Sequence, residues 1–329
     1  MKILIVHRAK IPVILYGGIE RVIWDLGKEL TKLGHKVVFL VNKGSSCDFA
    51  QLVPIDESLE IIEQIPNDVD LVHFHFVPEN VQRTKKPYLI TIHENLITTN
   101  AFDLNSVFVS KNHAEIYGAD SFVYNGLDWS EYTDPDFTKK RSHFHFLGKA
   151  AWRVKNVKGA IQVIKKTKSE KLKVLGGVRF NVKMGLRLTF SPRVSFYGMV
   201  GGREKEELLN GSKGLVFPVR WHEPFGLAII ESLYFGCPVF GTPYGALPEI
   251  VTEDFGVLSN RVDDLVAAVE TSDSFDPKLC HEYALTEFNS RKMTLAYLGK
   301  YEKVLSGENI NTISPKLKDS QQRKFLEWR

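Results

Sequence analysis

Short apolar runs separated by amphipathic stretches recur along the chain and predict strands that alternate with helices. Apolar runs at residues 2–7 and 37–41 flank a stretch in which Val22, Leu26 and Leu30 recur at helical spacing. Further apolar runs that we interpret as strands lie at 71–76, 88–92, 107–110, 144–147, 172–175, 194–196, 214–217 and 239–240. This alternation is typical of doubly wound parallel sheets, so we expect an α/β protein.

A polar break near residue 135 divides this pattern into two halves. Residues 133–141 are charged and contain a proline, which is the composition of a linker. At 329 residues the chain is also long for one hydrophobic core. We therefore predict an N-terminal domain at 1–135, a second domain at 136–290, and a final helix and tail at 291–329. Amphipathic spacing runs through 283–304, which we expect to be helical.

The densest pattern is a strand, loop, helix and strand predicted at 214–240. Glu223 lies on the loop that enters the helix, Pro224 suits a first helical turn, and Glu231 follows eight residues after Glu223. At a rise of about 1.5 Å per residue the two carboxylates lie roughly 12 Å apart along the helix. Between them Phe225-Gly226-Leu227 begins the helix, and helix N-termini attract phosphate. This distance suits a ligand made of a ribose, a diphosphate and a sugar. The same spacing would also arise if Glu223 simply opened the helix and Glu231 were a solvated helix residue.

A glycine pair follows the first predicted strand. Gly17 and Gly18 lie between that strand and the first helix, and glycines let a backbone approach a phosphate with no Cβ in the way. Such a pair can also simply turn the chain. Its position after the first strand favours a phosphate-binding loop.

Acidic and histidine residues flank the middle strands of the first half. Asp68-Val69-Asp70 has the Asp-x-Asp spacing of metal-dependent sugar transferases, but it precedes its strand instead of following it. Ligands of parallel sheets gather at the carboxyl ends of the strands, so we reject a metal site there. His75 and His93 do lie at carboxyl ends, and His73 shares a face with His75. His93, which closes its strand at the ligand-facing edge, is the candidate functional histidine.

A longer motif surrounds the two glutamates. Glu-Pro-Phe-Gly-Leu at 223–227 is followed by Glu-Ser-Leu-Tyr-Phe-Gly-Cys-Pro-Val at 231–239, by Gly245 and by Pro-Glu-Ile at 248–250. This order resembles the signature of retaining, nucleotide-sugar-dependent glycosyltransferases of family 4. The resemblance implies the GT-B architecture, in which two doubly wound Rossmann-like domains face each other across a cleft. The first domain would bind the acceptor, the second the nucleotide sugar, and the final helix and tail would pack back on the first.

The resemblance also implies roles for individual residues. Glu231 would hold the ribose hydroxyls and Glu223 the sugar hydroxyls, whereas His93 would lie beside the transferred sugar. The Gly17-Gly18 loop and Phe225-Gly226-Leu227 would contact the donor diphosphate.

A basic loop at the start of the second domain would complete the diphosphate site. In the family a basic residue and a later lysine clamp the diphosphate, and these roles carry over to Lys149 and Lys155. Lysine stands where arginine is commoner, which loses the bidentate fork. The spacing is one residue longer than usual, so Arg153 or Lys158 could be the partner instead, or the loop could simply be solvated.

We therefore expect a metal-independent, retaining glycosyltransferase that moves a sugar from a nucleoside diphosphate sugar, with UDP-sugars first, to a hydroxyl-bearing acceptor. No cofactor is expected, and surface polysaccharide or glycoconjugate synthesis is the expected setting. Two alternatives stay open, namely a nucleotide-sugar epimerase on the same fold and a non-catalytic sugar-nucleotide-binding subunit.

Charge and cysteine usage narrow the partners and the compartment. Residues 1–135 carry 12 Lys and Arg against 18 Asp and Glu, whereas the rest carries 31 against 21. The basic half has no dense cluster interleaved with aromatics, so we expect no nucleic acid partner. Three scattered cysteines and the lack of a span of about 20 apolar residues predict a cytoplasmic protein, with peripheral membrane contact as an option.

Overall fold

The computed structural model describes residues 1–13, 17–98, 100–181, 187–318 and 325–329, and it divides into two compact units. Unit 1 comprises Met1–Trp129 and Phe288–Gln321, and unit 2 comprises Ser130–Glu287 and Gln322–Arg329. Each unit contains one six-stranded parallel sheet with helices. The prediction of an α/β protein with two doubly wound domains is therefore confirmed.

Unit 1 is built on a sheet with strand order β3-β2-β1-β4-β5-β6. Its strands are β1 (Lys2–Val6), β2 (Lys36–Val41), β3 (Gln51–Pro54), β4 (Leu71–Phe74), β5 (Tyr88–Ile92) and β6 (Ser106–Phe108). Its helices are α1 (Gly18–Lys32), α2 (Lys111–Ile116) and α9 (Ser290–Leu305), with 3-10 turns at Ile61–Gln64 and Val81–Arg83. The central strands are apolar on both faces because helices and loops cover both sides of a parallel sheet. Ile3, Leu4, Ile5 and Val6 of β1 are accordingly fully buried.

Unit 2 repeats this plan with strand order β11-β8-β7-β12-β13-β14. Its sheet strands are β7 (His143–Leu147), β8 (Leu172–Leu175), β11 (Val194–Phe196), β12 (Ser212–Phe217), β13 (Val239–Gly241) and β14 (Gly256–Leu258), and β9 (Phe180–Asn181) and β10 (Arg187–Leu188) form a separate antiparallel pair. Its helices are α3 (Val157–Lys166), α4 (Gly202–Asn210), α5 (Leu227–Tyr234), α6 (Leu247–Ile250), α7 (Val262–Glu270) and α8 (Pro277–Glu287), with 3-10 turns at Arg153–Lys155 and Ser272–Ser274. A 3-10 turn at Trp129–Glu131 lies at the boundary of the units.

Each run that the sequence predicts as a strand is a strand, with small shifts at the ends. The edge strands β3 and β14 and the pair β9–β10 are not predicted, because they are short and lack a sustained apolar pattern.

The helical prediction for 283–304 is wrong as a single helix. Two helices, α8 and α9, share this segment, and Asn289 lies between them. The Asn289 side chain accepts the backbone N–H of Lys292 at 2.8 Å, so it forms the N-cap of α9. Pro224 is likewise outside a helix, because α5 begins at Leu227 after Gly226 adopts a φ of 93°.

The predicted boundaries at 135 and 290 lie a few residues from those of the two units. The first unit ends at Trp129, and the chain returns to it at Phe288. The helix α9 and the chain that follows it belong to unit 1 through Gln321, where Asn311 N donates to Leu104 O at 2.9 Å and Lys316 N donates to Tyr117 O at 2.7 Å. The structure differs from the tail prediction in the last residues, Gln322–Arg329, which belong to unit 2. Leu326 N donates to Arg220 O at 2.8 Å, and Arg329 N donates to Asn260 O at 2.9 Å, which fixes the terminus to unit 2.

No helix in the described part of the chain is both long enough and apolar enough to cross a membrane.

Candidate functional site

A buried ion pair lies beyond the carboxyl ends of β7 and β12 in unit 2. Lys155 Nζ is 2.6 Å from Glu223 Oε2, and the indole N–H of Trp221 donates to the same oxygen at 2.8 Å. The two side chains of the ion pair are 11% and 7% exposed. The Lys155 ammonium also lies 4.9 Å from the Trp221 ring centroid, within cation–π range. Both donors use Oε2, and Glu223 Oε1 accepts no hydrogen bond from the described residues.

Two glycines allow the chain to close around Glu223. Gly226 has a φ of 93°, and a Cβ there would lie 3.2 Å from Glu223 Cγ. Gly245 has a φ of 67°, and a Cβ there would lie 2.2 Å from the backbone nitrogen of Glu223. Side chains other than glycine are strained at such φ values. The signature glycines therefore fix the position of Glu223 at the N-terminus of α5.

Hydrogen bonds tie the Lys155 loop to the loop that carries Glu223. Asn156 caps α3 by accepting Gly159 N–H at 3.1 Å, and its side-chain N–H donates to Pro218 O at 2.9 Å. Arg220 N donates to Val154 O at 2.7 Å. Lys155 and Glu223 are thus held together by backbone contacts on both sides of the ion pair.

The other basic residues of this loop lie in different surroundings. Lys149 is exposed, with its ammonium 5.2 Å from the Trp152 ring centroid. Arg153 is exposed with its guanidinium 5.1 Å from the ring centroid of Phe325, and Lys158 is exposed on α3. Of the four candidates for the diphosphate clamp, Lys155 is therefore the one that contacts a signature glutamate.

Glu231 lies on α5 with its side chain 3% exposed. Its Oε1 accepts a hydrogen bond from the Tyr132 hydroxyl at 2.9 Å and forms an ion pair with Lys205 of α4. Glu231 is therefore not the solvated helix residue that the spacing alone left open as an alternative, because it is buried with a cation beside it.

Buried polar groups hold α5 in place below Glu231. His145 bonds through one ring nitrogen to the Ser212 hydroxyl at 2.7 Å and through the other to the Ser232 hydroxyl at 2.8 Å. Burial lowers the pKa of His145 to about 3, so the ring is neutral. Arg141 donates to the carbonyls of Phe235 and Gly236 at the C-terminus of α5, where a cation stabilises the helix.

In unit 1 the glycine pair lies at the N-terminus of α1. Gly17 is the N-cap residue, with an almost extended φ of 162°, and Gly18 is the first residue of the helix. A Cβ at Gly17 would lie 2.7 Å from Glu20 Oε2, the end of a flexible side chain. The pair is thus placed where a phosphate-binding loop would be, but its backbone geometry does not itself require glycine.

Histidines gather at the carboxyl ends of β1, β4 and β5. His75 Nδ1 and His93 Nε2 lie 2.9 Å apart and share a hydrogen bond, and their rings stack. Burial, reinforced by neighbouring histidines, lowers the pKa of both rings well below the usual value. Burial also lowers the pKa of His7 to about 4. These three imidazoles are therefore neutral at neutral pH.

His73 belongs to the interior of unit 1. Its Nδ1 shares a hydrogen bond with the Tyr301 hydroxyl at 2.8 Å, and its Nε2 shares one with the Thr91 hydroxyl at 2.7 Å. Tyr301 comes from α9, so this network fixes α9 against the sheet. Burial lowers the pKa of His73 to about 3.

The aspartates rejected as a metal site lie at the start of β4 and pair with β1. Asp70 accepts the backbone N–H of Lys2 at 2.7 Å, and the ammonium of Lys2 contacts Asp68. Among the described residues no three His, Cys, Asp or Glu side chains are grouped as ligands for a metal ion.

Several residues of these sites are not predicted from the sequence. Trp221 is adjacent to the signature, but Tyr132 and Lys205 contact Glu231 from 99 and 26 residues away. No local pattern connects such distant positions. The contact between His75 and His93 could have been predicted, because the two residues follow neighbouring parallel strands.

The family comparison matches most of the second unit. Residues 133–275 match the family model described as glycosyl transferases group 1. A Klebsiella pneumoniae protein, described as an uncharacterized 41.2 kDa protein in the cps region, is 28% identical over 116 residues. That alignment covers 33% of this chain and 32% of the relative, so the chain spans about a third of that protein's length.

Solved structures share the fold of the chain. AviGT4, a glycosyltransferase involved in avilamycin A biosynthesis, has a TM-score of 0.73 at 21% identity. The alignment covers 93% of this chain and 98% of the AviGT4 chain. Sucrose-phosphate synthase from Thermosynechococcus elongatus has a TM-score of 0.71 at 15% identity, covering 93% and 100%. HepE from Anabaena, solved with UDP and glucose, has a TM-score of 0.62 at 15% identity, covering 92% and 99%. Residues 133–275 of this chain are thus similar to group 1 glycosyl transferases, and each of these solved structures shares the fold over more than nine-tenths of the chain.

Proposed function

We propose that the protein transfers a sugar from a nucleoside diphosphate sugar to a hydroxyl acceptor, with retention of anomeric configuration. The observation that carries this proposal is the buried Lys155–Glu223 pair beside the N-terminus of α5. It offers a cation and a carboxylate side by side, and the carboxylate keeps one oxygen, Oε1, for a sugar hydroxyl.

In this proposal the lysines and the helix N-terminus stabilise the leaving diphosphate. Negative charge builds on the diphosphate oxygen as the glycosidic bond breaks, and fixed cations and helix dipoles stabilise it. Lys155 has three N–H donors, one of which contacts Glu223, and Lys149 is exposed on the same loop. Together with Phe225-Gly226-Leu227 and Gly17-Gly18 they would bind the diphosphate, so the reaction is proposed to need no metal and no cofactor.

The remaining residues would orient the two sugars. Glu231 would bind the ribose and Glu223 the transferred sugar. His93, a neutral ring hydrogen-bonded to His75, would orient the transferred sugar or the acceptor hydroxyl. UDP-sugars are the first donors to test because the fold relative HepE was solved with UDP-glucose. The cps-region relative favours surface polysaccharide synthesis as the setting.

The test is turnover of UDP-, ADP- and GDP-sugars with glycan and lipid-linked glycan acceptors. The proposal predicts that nucleoside diphosphate is released in step with a glycosylated product of unchanged anomeric configuration, with EDTA present or absent. Interconversion of donors without acceptor would indicate an epimerase instead. Donor binding without turnover across all acceptors would indicate a binding subunit. Loss of turnover in EDTA would overturn the metal-independent mechanism alone.

A further inference from the structure

We infer that Lys205 and Tyr132 are positioning residues that orient the Glu231 carboxylate for the two ribose hydroxyls of the donor nucleotide. This inference rests on the proposed function, in which Glu231 binds the ribose. It adds two residues to the site that lie outside the family signature.

The geometry places both donors on the same oxygen of Glu231. The Tyr132 hydroxyl donates to Oε1 at 2.9 Å, and the Lys205 ammonium contacts Oε1 as well. The Lys205 and Glu231 side chains are only 10% and 3% exposed. The Lys205 ammonium also lies 5.4 Å from the Tyr132 ring centroid, so the three groups form one compact cluster.

The cluster is fixed by the backbone around it. Lys205 lies on α4, and the neighbouring Glu206 accepts the backbone N–H of Thr133 at 3.2 Å. The segment that carries Tyr132 is therefore held by the same helix turn that carries Lys205. On the other side, the Tyr132 ring packs 5.6 Å from the ring of Tyr234 on α5.

A diol site needs this kind of support. A carboxylate binds two vicinal hydroxyls best when it is ionised and when the plane of its two oxygens is fixed. Burial alone would favour the neutral acid, which accepts fewer hydrogen bonds. The Lys205 cation favours the ionised form, and two donors on Oε1 fix the carboxylate plane. Without them Glu231 would remain in place but would recognise the ribose less well.

The test compares ribose recognition in the wild-type chain and in four variants. The dissociation constants of UDP and of its 2′,3′-dideoxy analogue are measured by calorimetry, with the corresponding ADP and GDP pairs in parallel. The ratio of the two constants for the tightest-binding base reports the ribose contacts alone. The variants are Lys205→Met, Lys205→Arg, Tyr132→Phe and, as a matched control, Lys213→Met, which breaks an ion pair with Glu170 in the same unit.

We expect the wild type and Lys213→Met to prefer the ribonucleotide by about tenfold or more, because a hydrogen bond to a charged group is strong. Lys205→Met should lose most of this preference, Tyr132→Phe should reduce it about threefold, and Lys205→Arg should largely retain it. If Lys205→Met does not fold, Tyr132→Phe decides, because it removes only a hydroxyl.

The outcomes separate this inference from the proposed function. A wild-type preference that persists unchanged in Tyr132→Phe and Lys205→Met overturns the inference and leaves the transferase intact. A wild type that binds UDP without any preference for the ribonucleotide removes the ribose role of Glu231 and the inference with it. A wild type that binds none of the nucleoside diphosphates overturns the proposed donor site itself.

Discussion

The carboxyl edges of the two parallel sheets are built from opposite kinds of side chain. In unit 2 two buried ion pairs, Lys155–Glu223 and Lys205–Glu231, place full charges before and along α5, the helix that follows the carboxyl end of β12. In unit 1 the corresponding edge carries His75 and His93, whose pKa values burial holds well below the usual range. The ion pairs of unit 2 therefore carry full charges, whereas these two imidazoles of unit 1 are neutral.

This difference suits the two substrates of the proposed reaction. A nucleoside diphosphate sugar is an anion whose charge grows at the leaving oxygen, so it requires fixed cations and carboxylates. A hydroxyl acceptor is neutral, and neutral imidazoles can donate or accept its hydrogen bonds. In the proposed reaction the same fold would serve two kinds of recognition through different residues after its strands.

The largest effect should come from removing the charge of Glu223. Glu223→Gln keeps the shape of the side chain but removes its negative charge, so Lys155 loses its ion pair and the sugar hydroxyl loses a charged acceptor. We expect kcat to fall by about 1,000-fold, the scale of losing one preorganised electrostatic contact in an active site. Steady-state kinetics with the preferred donor measure this. Glu170→Gln, at an ion pair elsewhere in unit 2, is the control. A fall of less than about threefold would contradict the role of Glu223.

The next effect concerns stability. Lys155→Met leaves the buried Glu223 carboxylate without its cation, so we expect the free energy of unfolding to fall by about 3 kcal/mol. The double variant Lys155→Met, Glu223→Gln should recover part of this loss, because no buried charge is then unpaired. Urea denaturation of the four proteins completes the cycle. Additive effects of the two substitutions would show that the pair is not coupled.

Acid should lower the stability of the fold, because the buried histidines of unit 1 are neutral in the folded state. Burial lowers the pKa of His7 to about 4 and of His73 and His113 to about 3, against 6.5 for an ordinary histidine. Between these values the unfolded chain binds protons that the folded chain excludes, so stability falls as pH falls below about 6.5. We expect at least about 2 kcal/mol less unfolding free energy at pH 5.5 than at pH 7.

Urea denaturation at the two pH values measures this loss, and His113→Gln should reduce it by about 1 kcal/mol. A stability that does not change between pH 7 and pH 5.5 would mean that these rings are accessible to protons in the folded state.

The smallest effects distinguish the candidates for the diphosphate clamp. Lys149→Met should raise the donor KM about tenfold, because it removes one charge-assisted contact to phosphate. Arg153→Ala should change the donor KM less than about threefold, because its guanidinium packs over Phe325. The ranking would be reversed if Arg153, and not Lys149, were the phosphate ligand.

The fold and the centre of the site could be predicted from the sequence because both depend on local patterns. The apolar runs are strands, and Glu223, Gly226, Glu231 and Gly245 lie within one short motif. The partners of the two glutamates could not be predicted. Lys155 and Lys205 reach them from 68 and 26 residues away, through the order of strands and helices in the sheet.

Local patterns also failed where one residue interrupts a continuous periodicity. The amphipathic spacing through 283–304 carries no sign of a break, yet Asn289 caps a new helix there. The last residues of the tail, which we expected on the first domain, lie on unit 2 for a related reason. Hydrogen bonds of Leu326 and Arg329 to loops of unit 2, and not any apolar pattern, determine where the terminus lies.

The central claim is that Glu231 of unit 2, and not the neutral histidine pair of unit 1, binds the nucleoside part of the donor. Calorimetric titration of nucleoside diphosphates into the wild type, Glu231→Ala and His93→Asn tests it most directly. The claim predicts that the dissociation constant rises by about tenfold or more in Glu231→Ala and does not change in His93→Asn. Equal losses in both variants, or a loss confined to His93→Asn, would contradict it.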